Sequence, residues 1–117
     1  MTESAYQLLA RGMEFLDSGH PHQAILLLER AKLLEPEKAS IREALGRALS
    51  HVGQWHRARR EFAKVVALSP ADDYAHFALG LACSRTGQRT RAIAHLKLAV
   101  AMSPREEYRR ALDRLVS

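Results

Sequence analysis

Apolar residues recur along the chain at three- and four-residue spacing, which predicts amphipathic helices and not strands. Within residues 39–72, one apolar stripe precedes Gly53 and a second follows it. Glycine at such a point supplies the left-handed backbone conformation with which many helices end. Pro70 follows the second stripe and lacks the N–H group that is needed to continue a helix. The pattern therefore predicts two helices joined by a short turn.

The same pattern returns with a period of 34 residues, so that residues 5–38, 39–72 and 73–106 align without a gap. Three columns stay apolar across the copies, and five are identical in all of them. The identical columns are Ala10/Ala44/Ala78, Gly12/Gly46/Gly80, Gly19/Gly53/Gly87, Ala24/Ala58/Ala92 and Pro36/Pro70/Pro104. The sequence therefore predicts three helical hairpins in tandem.

One glycine column falls inside the first predicted helix of each hairpin, where glycine costs about 1 kcal/mol relative to alanine. Close approach of the second helix would offset this cost. We expect the alanines Ala24, Ala58 and Ala92 to be the small residues that face these glycines. A larger side chain at Gly46 should then overpack the hairpin and destabilise it.

The period, the dipeptides Leu45-Gly46 and Leu79-Gly80, and the alanine and proline columns resemble the tetratricopeptide repeat family. The resemblance covers residues 5–106 and implies an all-α, right-handed superhelical solenoid of helix-turn-helix hairpins. It places the three repeats at residues 5–38, 39–72 and 73–106.

The fourth position of the repeat departs from the family pattern, which has a large apolar residue there. This chain has Leu8, then Arg42, then His76 at that position. We expect the two polar residues to loosen the interior slightly without changing the pitch of the repeats.

Both ends of the repeat array carry helix-start signals. Ser4 and Gln7 have the spacing of a capping box for the first helix. Ser103 and Glu106 have the same spacing, with Pro104 in the first turn, and predict a final helix over residues 104–117. Its apolar residues would cover the last repeat, as stacked repeats require at an open end. No comparable covering helix precedes the first repeat.

The 117 residues are 47% hydrophobic and 26% charged, which is typical of one compact domain. The net charge of +5 arises mainly in residues 39–106, and it favours an acidic partner without identifying one. No apolar run reaches the roughly 18 residues of a membrane span, and no basic leader with an apolar run is present. With Cys83 as the single cysteine, we expect a cytoplasmic protein without an internal disulfide.

No glycine-rich phosphate loop, HExxH, CxxC or GxSxG motif is present, so we expect no enzymatic activity, cofactor or metal. His76 and Cys83 lie seven residues apart on one stripe and could be taken for metal ligands. A buried core histidine beside a buried thiol is the favoured interpretation. Trp55 is assigned to local packing.

The resemblance implies that the first helix of each repeat lines a concave groove that receives peptides. The candidate groove residues are Tyr6, Leu9, Met13, Arg47, His51, Tyr74, Phe77, Leu81 and Arg85. The apolar members are additional to the stripe that the hairpins need for packing, and exposed apolar surface commonly marks an interaction site.

One subtype of the family uses lysine, asparagine and arginine at fixed groove positions to hold an acidic peptide terminus. This chain has apolar residues at four of those positions, namely Leu9, Met13, Phe77 and Leu81. That clamp is therefore absent. An amphipathic protein segment with an acidic group for Arg47 or Arg85 is the expected ligand.

The leading hypothesis is thus a non-enzymatic protein-interaction module. Self-association is the first alternative, with the apolar groove or the uncapped first helix forming an interface between copies. A weaker alternative is binding of an acidic partner or nucleic acid by basic residues on the convex side, namely Arg57, Arg59, Arg60 and Lys64. A solvated face is the favoured interpretation of this stripe, and nucleic acid is disfavoured because few aromatic residues accompany it.

Overall fold

The computed structural model describes residues 3–117, which form seven α-helices and no strand. The helices are α1 (Ala5–Asp17), α2 (Pro21–Leu34), α3 (Ala39–His51), α4 (Trp55–Leu68), α5 (Asp73–Arg85), α6 (Arg89–Met102) and α7 (Glu106–Val116). Consecutive helices pack as the hairpins α1/α2, α3/α4 and α5/α6, and α7 packs against α6. The predicted all-α helical repeat fold is confirmed.

The turns within the hairpins depend on glycine, as predicted. Gly19, Gly53 and Gly87 have φ angles of 82°, 78° and 78°, in the left-handed region that side chains with a Cβ atom rarely adopt. The second break also lies where the sequence places it, because α4 ends at Leu68, just before Pro70.

The helical glycines allow close helix contact, but the residues that face them differ from the prediction. A Cβ atom at Gly46 would lie 2.8 Å from the ring of Phe62, and one at Gly12 would lie 2.8 Å from Leu28. The glycine thus makes room for a large side chain of the second helix. The alanine column is fully buried, as Ala58 shows with 0% exposure, but it is not the nearest neighbour of the glycines.

The hairpins stack into an elongated molecule with extents of 53 × 25 × 22 Å. The first helices α1 and α3 contact each other, whereas no pair of second helices makes comparable contact among the described residues. We call the side formed by α1, α3 and α5 the concave side and the side formed by α2, α4 and α6 the convex side, after the solenoids that the repeat pattern resembles. Among residues 3–117, no helix combines the length and apolar character needed to cross a membrane.

The final helix covers the last hairpin but begins later than predicted. Its first residue is Glu106, and its N-cap is Arg105, which makes no side-chain capping bond. Ser103 instead ends α6. Tyr108 is 1% exposed, and its hydroxyl donates a 2.8 Å hydrogen bond to Asp73. At the other end, the capping box formed by Ser4 and Gln7 is present as predicted.

The polar residues at the fourth repeat position do not loosen the interior, because each has specific partners. Arg42 Nη1 donates to Glu61 Oε1 at 3.1 Å, and Arg42 Nε donates to the Pro36 carbonyl at 3.0 Å. His76 is buried, as predicted. Its Nε2 lies 2.8 Å from the Pro70 carbonyl, and its Nδ1 lies 3.1 Å from Nδ1 of His95.

Candidate functional site

A cavity of about 230 Å³ opens on the concave side between α3 and α5. It brings together five of the nine candidate groove residues. Its lining residues are Arg47, Ser50, His51, Trp55, Phe62, Tyr74, Phe77, Ala78 and Leu81. The helical spacing of Arg47 and His51 on α3, and of Phe77 and Leu81 on α5, puts each pair on the face of its helix that borders the cavity.

Aromatic side chains form one wall of the cavity. The ring centroids of Tyr74 and Phe77 lie 6.2 Å apart, and Phe77 stacks on Tyr108 of α7 at 4.6 Å. The capping helix therefore covers one face of Phe77, which the sequence assigned to the groove alone. Burial and the hydrogen bond to Asp73 raise the pKa of Tyr108, so its hydroxyl remains a donor and holds α7 in place at neutral pH.

Trp55 is a cavity residue that the sequence assigned to local packing. It is the first residue of α4 and lies half-buried at the edge of the cavity. The guanidinium of Arg85 lies over its ring, 5.1 Å from the centroid, which is a cation–π distance. The sequence did contain an indication of this role. The equivalent positions of the other repeats hold Pro21 and Arg89, so the packing of the repeats does not require a tryptophan there.

The guanidinium of Arg47 gives the cavity a positive rim, and no carboxylate is among its lining residues. One acid, Glu43, lies with Arg47 and Tyr74 in an adjoining depression. Burial and the neighbouring Asp72 raise the pKa of Glu43. The cavity itself therefore offers apolar contact with positive charge at its edge.

The three candidate residues of α1 lie outside this cavity. On α1, Tyr6 is 74% exposed and Met13 is 38% exposed. Leu9 is half-buried and packs against the hydrophobic core, so the expectation that it is additional to the core is wrong in part. Helix α1 packs against both α2 and α3, and Leu9 contacts both core clusters.

Two of the four basic residues of the convex stripe form ion pairs with carboxylates, and Arg60 is exposed. Arg57 donates to Glu29 at 2.7 Å, and Lys64 lies 3.0 Å from Glu37. Both pairs join the second hairpin to the first. Among the described residues, no group of three histidine, cysteine or acidic side chains is placed to hold a metal ion.

A sequence model of the tetratricopeptide repeat matches the chain at residues 9–53 and 44–107. The two matches together span all three hairpins and the start of α7. A search of curated proteins found no match to the sequence.

Solved structures show the same fold at low sequence identity. The first TPR of Spaghetti (RPAP3), bound to the HSP90 peptide SRMEEVD, is 17% identical with a TM-score of 0.91, covering 96% of this chain and 90% of that one. The second TPR domain of human RPAP3, in complex with the HSP70 peptide SGPTIEEVD, is 17% identical with a TM-score of 0.90, covering 97% and 95%. The Yersinia enterocolitica type III secretion chaperone SycD, in complex with a peptide of the translocator YopD, is 15% identical with a TM-score of 0.85, covering 94% and 90%.

Proposed function

This chain belongs to the tetratricopeptide repeat family, and we propose that it is a non-enzymatic module that binds a segment of a partner protein in its concave groove. The observation that carries the proposal is the cavity between α3 and α5, which unites apolar walls with a basic rim. Three structures with the same fold contain bound peptides, which supports this use of the scaffold.

The cavity favours a ligand segment with one large apolar side chain beside an acidic one. The apolar side chain would contact Phe77, Leu81 and the ring of Trp55. The acidic side chain would face Arg47, since a guanidinium binds a carboxylate through two parallel hydrogen bonds. His51 and Arg85 lie on the same side and would orient the segment further. Tyr6 and Met13 would extend the contact along α1.

Acidic peptide tails of the kind seen in the RPAP3 complexes are not the ligand that this groove favours. The groove positions that would have to supply basic or amide groups hold Leu9, Met13 and Leu81. Burying a terminal carboxylate against these apolar side chains would cost free energy, because its hydrogen bonds to water would not be replaced. An internal amphipathic segment meets the same residues without that cost.

The proposal can be tested with peptides selected from a random display library on the immobilised protein. Trp55 is the only tryptophan and lines the cavity, so its fluorescence reports binding directly. We expect selected peptides to contain an aromatic or aliphatic residue close to an aspartate or glutamate. We also expect them to change the emission of Trp55 on titration.

Variants locate the binding site on the protein. Arg47→Ala should weaken the selected peptides about tenfold, which is the effect of losing one charged hydrogen-bonded pair. Arg109→Ala removes the same charge from the exposed face of α7 and should leave the affinity unchanged. Equal affinity for wild type, Arg47→Ala and Leu81→Ala, with folding intact by circular dichroism, would remove the groove from the proposal.

Self-association remains the second candidate because the first hairpin exposes large apolar residues. On α2, Leu26, Leu33 and Leu34 are 69%, 81% and 56% exposed. Leucines this exposed on one helix are typical of an interface. Sedimentation across a concentration series should show a dimer that Leu26→Gln with Leu33→Gln dissociates if this candidate is correct, and a monomer throughout if it is not.

A further inference from the structure

A second cavity, of about 280 Å³, lies on the convex side between α4 and α6. Leu79 and Cys83 of the underlying α5 line it together with Ala63. Its remaining lining residues are polar or basic, namely Arg59, Arg60, Gln88, Arg91 and His95. None of them belongs to the concave groove.

Positive charge surrounds this cavity without a compensating acid. Arg59 donates to the hydroxyl of Thr86 at 3.0 Å, and Arg91 donates to the side-chain oxygen of Gln88 at 3.3 Å. Both partners are neutral. Helix α6 contains no aspartate or glutamate, and Glu61, the one acid of α4, is engaged by Lys32 and Arg42.

The preceding hairpin carries a carboxylate at the place where this cavity has none. Arg91 occupies the repeat position that Arg57 occupies one repeat earlier, and Arg57 forms a 2.7 Å ion pair with Glu29. The position equivalent to Glu29 is Ala63, which lines the cavity. The cavity therefore lies where the earlier repeat carries a carboxylate, and its arginines are left to accept an anion from outside.

We propose that this convex cavity is a binding site for a phosphate group. Three guanidinium groups around one cavity carry more positive charge than a single carboxylate neutralises. A phosphate group has a charge near −2 and at least three peripheral oxygens, which can accept hydrogen bonds from several directions. Arg59, Arg60 and Arg91 would provide these bonds.

Two further titratable groups line the cavity. Burial raises the pKa of the Cys83 thiol, so that at neutral pH it remains uncharged and does not repel an anion. His95 Nδ1 faces His76, which accepts from it because the other nitrogen of His76 donates to the Pro70 carbonyl. His95 Nε2 then carries a lone pair and no proton, so the hydrogen bonds to the anion come from the arginines.

The first test is calorimetric titration with inorganic phosphate at constant ionic strength. We expect saturable binding at one site, weakened at least fivefold in Arg60→Gln and in Arg91→Gln. Arg109→Gln and Arg30→Gln remove the same charge at exposed positions on α7 and α2 and should bind as wild type does. Equal weakening in all four variants would show that only net charge matters and would overturn the proposal.

A second variant fills the site with the carboxylate that the earlier repeat carries. Ala63→Glu should pair with Arg91, as Glu29 pairs with Arg57, and should abolish phosphate binding while the melting temperature is kept or raised. Ala67→Glu is the matched control, because Ala67 is exposed one turn further along α4 and does not line the cavity. Phosphate binding that is the same in both variants would contradict the proposal.

The source of the phosphate group is decided by comparing ligands. A short peptide with one phosphoserine that binds at least tenfold more tightly than inorganic phosphate, and more tightly than the peptide with aspartate at that position, would identify a modified partner protein. Tighter binding of inorganic phosphate would identify a free anion. Equal binding of the phosphoserine and aspartate peptides would overturn the assignment to phosphate.

Discussion

The second and third hairpins make the same contact between their two helices with different side chains, an ion pair in the second and a pair of imidazoles in the third. In both hairpins, the residue at the fourth repeat position contacts the residue nineteen places later, on the second helix of the hairpin. It also contacts the carbonyl oxygen of the proline that precedes the hairpin. In the second hairpin, this pair is Arg42 with Glu61; in the third, it is His76 with His95. The proline carbonyls, Pro36 and Pro70, are themselves one repeat apart.

The first hairpin makes this contact with apolar residues. Leu8 and Leu27 occupy the two positions and belong to one hydrophobic cluster with Ile41. The scaffold therefore requires matched partners at these positions and not a particular residue type. A polar residue is tolerated at the fourth position because its hydrogen bonds are satisfied inside the repeat.

The difference extends to the convex surface. Beside Arg42 and Glu61, further ion pairs tie the second hairpin to the first, including Glu29 with Arg57. Beside His76 and His95, the equivalent acids are absent and a basic cavity remains. Charges that are paired stabilise the contact between the first two hairpins, whereas arginines without an acidic partner are available to a ligand.

The largest effect on stability is expected from removing one member of the ion pair between Arg42 and Glu61. Glu61 is 7% exposed and accepts from both Lys32 and Arg42, so Glu61→Ala leaves the poorly solvated Arg42 without a carboxylate and Lys32 with Glu29 alone. We expect the free energy of unfolding to fall by about 2 kcal/mol in urea titrations. The double change Arg42→Leu with Glu61→Leu recreates the apolar pair of the first hairpin and should cost less than half as much. A double variant less stable than Glu61→Ala would contradict the matched-partner account.

Moving the ionic pair into the third hairpin should have a smaller effect. His76→Arg with His95→Glu places a guanidinium near the Pro70 carbonyl and a carboxylate near Arg91. We expect stability within about 1 kcal/mol of wild type, because the donors and acceptors remain matched. The reversed pair, His76→Glu with His95→Arg, puts a carboxylate against a carbonyl oxygen and should be clearly less stable. Equal stability of the two variants would refute the shared geometry.

The imidazole pair also predicts a pH dependence that the ionic pair lacks. Burial and the neighbouring His76 lower the pKa of His95 below its usual 6.5. The unfolded chain therefore takes up a proton first as the pH falls, so stability is full above about pH 6.5 and is lost on acidification. Urea titrations from about pH 7.5 to about pH 5.5 should show this loss. His95→Leu should flatten the slope, whereas a change at the exposed His22 should not.

The smallest effect concerns the surface ion pairs. Glu29→Gln should cost about 0.5 kcal/mol, because the pair with Arg57 is partly exposed and screened by water. The loss should shrink as salt concentration rises in thermal melts. A Glu29→Gln effect that persists at high salt would mean that the contact is not mainly electrostatic.

Five of the residues that line the cavity could be predicted from their positions in the repeat, but the contacts of Trp55 and Tyr108 could not. Arg47, His51, Tyr74, Phe77 and Leu81 line one cavity because helical spacing puts their side chains on the same faces of α3 and α5. The contribution of Trp55 was missed, because it depends on how the first residue of α4 meets Arg85 of the next hairpin. The apolar residues of α7 were expected to cover the last repeat, but the stacking of Tyr108 on Phe77 was not foreseen.

The sequence by itself determined the elements of this protein: helices broken at Gly53 and Pro70, a period of 34, and an alanine column that is fully buried. These features are local, since they depend on the backbone angles of single residues and on periodicity along one helix. Only the tertiary structure decided which polar residues meet across helices, as Arg42 with Glu61 and His76 with His95 do. Such contacts depend on the distance and orientation between packed helices, and residue spacing along the chain does not specify these.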